Sequence, residues 1–328
     1  MMKPKVVVAS KIQPEVIQFL AQYCELVVFD KLSSENYNDF LEELNDAQGL
    51  IGFNLKVNEH ILEHAPQLKV VSTISVGYDN MDLEKITNRN VLATNTPGVL
   101  NETTADTMFG LLLATARRFT ELDQFVKSGQ WETQIGKRLF GTDVHHKTLG
   151  IIGMGGIGTA IAKRAHLGFD MNILYHNRSR NKEAEGLYNA TYCTLEELLQ
   201  QSDFVCLMTP LSAETEGLIG EKEFKLMKET AFFINGSRGK TVNEAALIAA
   251  LQNGEIAGAG LDVFEVEPVQ KDNPLLSMAN VMTLPHVGSA TTETRMKMSM
   301  CAAENIVAGV TGKTPPNVLN KELLQKNS

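Results

Sequence analysis

Short apolar runs alternate with longer amphipathic stretches along almost the whole chain, in two series. The first hundred residues carry "KVVVAS", "CELVVFD", "GLIGFN", "LKVVSTIS" and "VLATN", separated by helical patterns such as Pro14 to Tyr23 and Glu35 to Leu44. Strands that alternate with helices predict βαβ units and a parallel sheet. From Glu102 to Lys127 the pattern turns helical for about seven turns at 3.6 residues each, with Gly129 placed to end that helix. A second series then begins: "TLGIIGMG", "NILYHN", "DFVCLMTP", "AFFINGS", "AGAGLDVF" and "VMTLPHVG". Six strands with intervening helices predict a second, complete doubly wound domain. A last helical stretch runs from about Thr291 to Val310, and the polar "NKELLQKNS" closes the chain. Only about 40 residues follow His286, too few for a third domain, so this segment is expected to return to the first. The fold expected is therefore α/β, with a Rossmann domain (102–288) inserted in a flavodoxin-like domain (1–101 and 289–328).

Composition narrows the function classes. At 328 residues there is room for two domains of ordinary size. The run Val6 to Ala9 is too brief for a signal-peptide core, and no apolar stretch approaches the ~20 residues a membrane-spanning helix needs. Cys24, Cys193, Cys206 and Cys301 are scattered and form no CxxC pair, so neither a zinc site nor a disulfide framework is indicated, and a reducing cytoplasm is the expected home. The formal charge of −9 argues against nucleic-acid binding, which needs clustered Lys and Arg. An anionic ligand would have to be drawn in by local positive charge.

The first such site follows the first strand of the second series. "GMGGIG", Gly153 to Gly158, sits between the apolar "TLGII" and the helical "GTAIAKRAHLG". GxGxxG alone is a weak signal, but strand before and helix after are the context in which it binds a dinucleotide. Gly153 permits the tight turn, Gly155 the approach of backbone to pyrophosphate, and Gly158 the packing of helix on strand, while the N–H groups around Gly156 and Ile157 face the phosphates. The second strand ends in "ILYHNRSR". An acid at the Asn177 position would hydrogen-bond the ribose 2′-hydroxyl of NAD and repel a 2′-phosphate, by ~4 kcal/mol at about 4 Å and an effective dielectric constant of about 20. This chain has no acid there and offers Arg178, Ser179 and Arg180, groups suited to phosphate oxygens. NADP(H) is the expected cofactor, with NAD(H) as the alternative.

Three ionisable residues fall at strand ends or just after them in the later part of the domain: Arg238 in "NGSRGKTV", Glu267 in "DVFEVEP" and His286 in "LPHVGSAT". All three are expected on the carboxyl edge of the sheet, where open α/β proteins bind ligands. Together with "STISVGYDNMD", "NTPGVLNETTADTMFGLLLATARR", "KTLGIIGMGGIG" and "FINGSRG", the segments around them cover about Val70 to Thr291, and through them the chain resembles the D-isomer-specific 2-hydroxyacid dehydrogenase family. The resemblance implies that Arg238 binds the substrate carboxylate and keto oxygen, that His286 protonates that oxygen, and that Glu267 holds the imidazole. The chemistry agrees independently. A guanidinium engages a carboxylate and adjacent carbonyl through forked donors, and histidine is the side chain suited to proton transfer near neutral pH.

The resemblance also implies roles for Asn54, Val76 and Gly77 in loops that line the substrate, for Thr107 facing the cofactor, for Thr209 and Pro210 beside the adenosine, and for Asp262 at the nicotinamide amide. The chain departs from the family pattern at Gly156, where relatives often carry Arg, and at Ser237, where Gly or Ala is usual. The adjacent His145 and His146 lack further ligands nearby in sequence, so no metal site is expected. The implied activity is reduction of small 2-oxo acids, glyoxylate, hydroxypyruvate or 2-ketogluconate, to D-2-hydroxy acids, by a homodimer with substrate between the domains. A 3-phosphoglycerate dehydrogenase-like NAD enzyme and a dinucleotide-sensing corepressor are the rival readings.

Overall fold

The computed structural model describes residues 2–325. It divides into two compact units, one formed by the chain up to Leu100 and from Thr291 onward, the other by Asn101–Ala290.

The first unit holds β1 (Lys5–Val8), β2 (Glu25–Val28), β3 (Gly49–Gly52), β4 (Val70–Thr73) and β5 (Leu92–Thr94), in the order β2-β1-β3-β4-β5, every pair parallel. All four residues of β3 and of β4 are buried, whereas β2 at one edge is partly exposed. That is why the inner strands read as unbroken apolar runs: helices cover both faces. The chain returns to this unit through the helix Thr292–Val310, capped by Thr291, whose hydroxyl accepts from the Thr294 N–H at 3.2 Å. Two asparagines fasten the return. Asn305 Nδ2 donates to Asn95 O at 3.0 Å, and Asn320 accepts from the Ala93 N–H at 3.0 Å while donating to Val91 O at 2.8 Å.

The second unit contains β6 (Thr148–Ile152), β7 (Asn172–His176), β8 (Thr191–Tyr192), β9 (Phe204–Leu207), β10 (Phe232–Asn235), β11 (Gly258–Leu261) and β12 (Val281–Thr283), in the order β12-β11-β10-β9-β6-β7-β8. Alternation along each strand divides its core. Ile151, Tyr175, Cys206 and Ile234 face one apolar layer, and Ile152, Val205, Leu207 and Phe233 the other. The strand order reverses between β6 and β9, which opens a crevice at the carboxyl ends of those strands. β8 is a strand the sequence pattern does not predict: it is two residues long, exposed, and pairs only with β7.

The single long helix expected from Glu102 to Lys127 is two helices, Asn101–Ala116 and Phe119–Lys127. The break has a tertiary cause. Thr142 donates its N–H to the Ala116 carbonyl at 2.8 Å, and Gly141 lies so close that a Cβ there would come within 2.7 Å of that oxygen. Arg118 then turns the chain in a left-handed conformation (φ 57°), its guanidinium bound to Glu121 and to the Arg138 and Phe140 carbonyls. No helix among the described residues is long and apolar enough to cross a membrane.

Candidate active site

The glycine loop leaves β6 and enters the helix Gly156–Phe169, with Gly155 as its N-cap. Gly153 has φ +103°, and a Cβ on it would strike the backbone of Met208 and Thr209 at 2.7–2.8 Å, so the loop lies directly against the end of β9. Gly155, by contrast, faces open space, with nothing within 4 Å of a Cβ position. The helix N-terminus beside it presents N–H groups and the positive end of the helix dipole to whatever occupies that space. Thr209 Oγ1, just beyond β9, is buried without a hydrogen-bond partner among the described residues. The free space at Gly155, the helix N-terminus and this orphaned hydroxyl fit a dinucleotide's phosphates and ribose. Pro210 follows, its carbonyl accepting from Thr215 Oγ1 at 2.6 Å. Ile157 packs against the core, and the space over Gly156 is taken by the Asn101 amide, which stands where a longer side chain would have to run.

The basic turn after β7 is more divided than its sequence suggests. Arg180 is held by Glu185 through a fork, Nε to Oε1 at 2.8 Å and a terminal nitrogen to Oε2 at 3.0 Å, and lies 5.9 Å from the centre of the Tyr192 ring. The Arg180 guanidinium and the Tyr175 hydroxyl together bring Glu185 down to about 2. Arg178 is exposed and makes no ion pair or hydrogen bond among the described residues. Asn177 uses its amide to close the turn, donating to Ser179 O at 3.1 Å. The expected pair of arginines is therefore one exposed arginine, Arg178, with Ser179 beside it, and one already engaged.

At the ends of β10, β11 and β12 the structure brings three side chains to one place. Glu267 Oε2 accepts from His286 Nδ1 at 2.7 Å, and its other oxygen accepts from the Phe264 N–H at 3.0 Å. Burial alone would raise the Glu267 pKa, but the His286 hydrogen bond, the Phe264 N–H and the charges of His286 and Arg238 outweigh it and hold the carboxyl below its ordinary value. Arg238 is partly buried at the end of β10, its side chain donating to Ser237 O at 3.0 Å and its carbonyl accepting from Thr241 Oγ1 at 2.6 Å. Gly239 explains why this loop can sit so near Glu267. A Cβ there would fall 1.8 Å from the Phe264 carbonyl carbon, so only glycine lets the two backbones touch.

His286 occupies the left-handed region (φ 54°), a conformation that costs a non-glycine residue about 1–3 kcal/mol and persists only where surroundings enforce it. Asp262 is the enforcer. Its carbonyl accepts from the His286 N–H at 2.9 Å, and its carboxylate accepts from the Val287 and Gly288 N–H groups at 2.7 and 2.9 Å. Burial pushes the Asp262 pKa up from its ordinary value, against those two hydrogen bonds. Thr107 adds a tie, its hydroxyl donating to Gly288 O at 3.1 Å. The side chains assigned from sequence to the cofactor, Asp262 and Thr107, thus clamp the histidine loop, a service that spacing alone does not reveal. Nδ1 of His286 is committed to Glu267, so Nε2 is the ring nitrogen left for a ligand, and the side chain is 39% exposed.

Asn54, Val76 and Gly77 belong to the other unit, in the loops after the adjacent strands β3 and β4. Asn54 is exposed with φ 45°, which asparagine tolerates. Val76 O is fixed by Asn95 Nδ2 at 2.8 Å and Gly77 O by Ser75 Oγ at 2.5 Å. No cluster of three or more metal-ligating side chains occurs among the described residues.

Residues 109–288 match the family model described as D-isomer specific 2-hydroxyacid dehydrogenase, NAD binding domain. The glyoxylate/hydroxypyruvate reductase B of Klebsiella pneumoniae is 50% identical over 322 residues, covering 98% of this chain and 100% of the relative. That of Escherichia coli K12 is 51% identical over 97% of this chain and 98% of its own. Among solved structures, an NADPH-dependent glyoxylate/hydroxypyruvate reductase from Sinorhizobium meliloti, in complex with NADP and malonate, is similar with TM-score 0.85 and 34% identity, covering 97% of each chain. A Thermus thermophilus protein gives TM-score 0.88 and 37% identity over 96% of this chain and 99% of its own.

Proposed function

Because this chain belongs to the D-isomer specific 2-hydroxyacid dehydrogenase family, we propose that it reduces small 2-oxo acids to D-2-hydroxy acids with NADPH, glyoxylate, hydroxypyruvate and 2-ketogluconate being the substrates of choice. The observation that carries this reading is the Arg238, Glu267 and His286 group at the carboxyl edge of the second sheet, with the His286–Glu267 hydrogen bond of 2.7 Å at its centre. The loop Gly153–Gly158 and Thr209 would hold a nicotinamide dinucleotide, which when bound would supply the hydride. Arg238 takes the substrate carboxylate and carbonyl oxygen through its forked donors. His286 Nε2 gives the oxygen its proton while Nδ1 stays bound to Glu267, so the ring keeps one orientation before and after transfer. The domain assignment proposed is cofactor on Asn101–Ala290 and substrate loops Asn54, Val76 and Gly77 on the other unit. Steady-state reduction of the three acids by the purified protein tests the reading, and absence of turnover with every one would overturn it.

The cofactor preference rests on Arg178 and Ser179. Arg178→Ala is expected to lower kcat/KM for NADPH by roughly tenfold to a hundredfold, the worth of a charge-assisted hydrogen bond, with little change for NADH. An unchanged NADPH to NADH ratio would return the turn to the solvent. Four free cysteines, two of them buried, suit the reducing cytoplasm proposed as its location.

A homodimer is supported by a separate observation. The helix Phe119–Lys127 buries none of its residues, and Phe119, Val126, Trp131, Ile135 and Phe140 are each at least half exposed. Apolar side chains concentrated in this way mark an association surface. Sedimentation is expected to give twice the 36.1 kDa chain mass, and Trp131→Glu with Phe119→Glu to shift it toward the single chain. A native protein that sediments as one chain at micromolar concentration would refute the dimer.

A further inference from the structure

The glycine loop and the basic turn leave the paired parallel strands β6 and β7 at the same edge of the second sheet. Two ties join them. The Gly153 N–H donates to the carbonyl of His176, the last residue of β7, at 2.9 Å. The other tie is a side chain: Asn181 Nδ2 donates to Met154 O in the glycine loop at 3.0 Å and to Thr159 Oγ1, in the first turn of the helix behind it, at 3.1 Å. His176 and Asn181 stand immediately before and after residues 177–180. The turn that carries Arg178 and Ser179 is therefore fastened to the glycine loop at both of its ends.

Asn181 uses every polar group it has. Its Oδ1 accepts from the Ala184 N–H at 3.0 Å and so caps the helix Lys182–Tyr188, while its carbonyl accepts from the Glu185 N–H at 3.1 Å. Its own N–H donates to the Tyr175 hydroxyl at 2.8 Å, and that hydroxyl donates to Glu185 Oε1 at 2.7 Å, the carboxylate that holds Arg180. Tyr175 is fully buried, so the far end of the turn is anchored in the core of the domain. Capping alone does not call for asparagine. Serine and aspartate cap as well through one oxygen, and neither has an amide nitrogen. The donor end of Asn181, superfluous to the cap, is the part that reaches the glycine loop.

We propose that Asn181 is a positioning residue for cofactor selection: it holds the Arg178–Ser179 turn at a fixed distance from the glycine loop, so that a dinucleotide carrying a 2′-phosphate is met at both phosphate sites at once. The selectivity follows from which ligand needs both. NADP would place its pyrophosphate on the glycine loop and its 2′-phosphate on the turn, and a ligand that engages two sites together gains from their being fixed in advance. NAD has no phosphate to give the turn and depends on the glycine loop alone. Loosening the tie between the two therefore costs NADP more than NAD. This inference rests on the reading of Arg178 and Ser179 as the 2′-phosphate ligands, and adds the residue through which they are placed.

The test is calorimetric titration of the cofactor-free protein with NADP+ and with NAD+, in the wild type, Asn181→Ser, Arg178→Ala and the double variant. Asn181→Ser keeps an oxygen for the cap and removes both bonds donated by Nδ2. It is expected to raise Kd for NADP+ by about fivefold to tenfold, the worth of one or two ordinary hydrogen bonds, while Kd for NAD+ stays within about twofold. In the Arg178→Ala background the same substitution should weaken NADP+ no more than NAD+, because the group it positions is gone. A residue that served only to cap its helix would not show this dependence. Thermal melting establishes that each variant is folded. Should Asn181→Ser fail to fold, Thr159→Val removes one of the two bonds from the other side and carries the same comparison, with a smaller but still selective rise. Equal rises for both cofactors, no rise for NADP+, or an effect undiminished in the Arg178→Ala background overturn the inference. An Arg178→Ala variant that keeps the wild-type ratio of the two dissociation constants overturns the phosphate reading beneath it, a result obtained without touching Asn181.

Discussion

His286→Ala is expected to cut kcat for glyoxylate reduction by roughly 10²- to 10⁴-fold, the range for removing a positioned proton donor, at saturating substrate and with NADPH binding unchanged. The geometry explains why the loss should fall on turnover. His286 Nδ1 is tied to Glu267 at 2.7 Å and contributes nothing to the glycine loop, so the side chain can be removed without touching the residues proposed to hold the cofactor. The backbone should survive as well. The left-handed turn at His286 is enforced by Asp262, through the His286, Val287 and Gly288 N–H groups, and none of those bonds involves the imidazole. Glu267 keeps its Phe264 N–H and the charge of Arg238, which act against the burial that would raise its pKa. The folded pKa of Glu267 is depressed, so its contribution to stability is present above the ordinary carboxylate range and lost only as pH falls through the depressed value. The His286 hydrogen bond is the largest of the influences that lower that pKa, so the variant forgoes part of this contribution at neutral pH and should melt somewhat below the wild type while keeping its fold. A kcat within about threefold of wild type would remove His286 as the proton donor, since general acid catalysis is worth far more than that.

The parts of this fold that were legible in sequence are those with a local signal. Strands buried on both faces, such as β3, β4 and β10, show as continuous apolar runs, and the turn at Gly153 shows as glycine because its backbone has φ +103° against β9. What escaped depends on partners far along the chain. The helix ends at Ala116 because Thr142 takes its carbonyl, and nothing between Glu102 and Lys127 announces that. β8 has two residues, too few for any periodicity. Arg180 reads as a phosphate ligand until Glu185, on the following helix, is seen to hold it in a fork. Asp262 reads as a cofactor contact, while its carboxylate is occupied by the loop it clamps.

Arg238→Ala is expected to lower kcat/KM for glyoxylate by roughly 10²- to 10⁴-fold, because two charge-assisted hydrogen bonds at about 1.5–3 kcal/mol each are lost together. The loss should divide between a higher KM, from the carboxylate, and a lower kcat, from the carbonyl oxygen on which charge develops. Arg238→Lys should recover only a small part, since an ammonium cannot engage both oxygens in one plane. The loop itself is held by its backbone. Arg238 O accepts from Thr241 Oγ1 and Asn235 Nδ2, and Gly239 packs on Phe264, so the truncated variant keeps its shape and its melting temperature. One electrostatic consequence separates substrate engagement from a general disturbance of the site. Arg238 is the last of the influences that depress Glu267, behind the His286 hydrogen bond and the Phe264 N–H, so Glu267 remains ionised without it. The acid side of the kcat against pH profile should then keep its position while its height falls. A profile that shifts with the amplitude would mean that Arg238 acts by tuning Glu267 and His286, and an unaltered kcat/KM would exclude it from the reaction altogether.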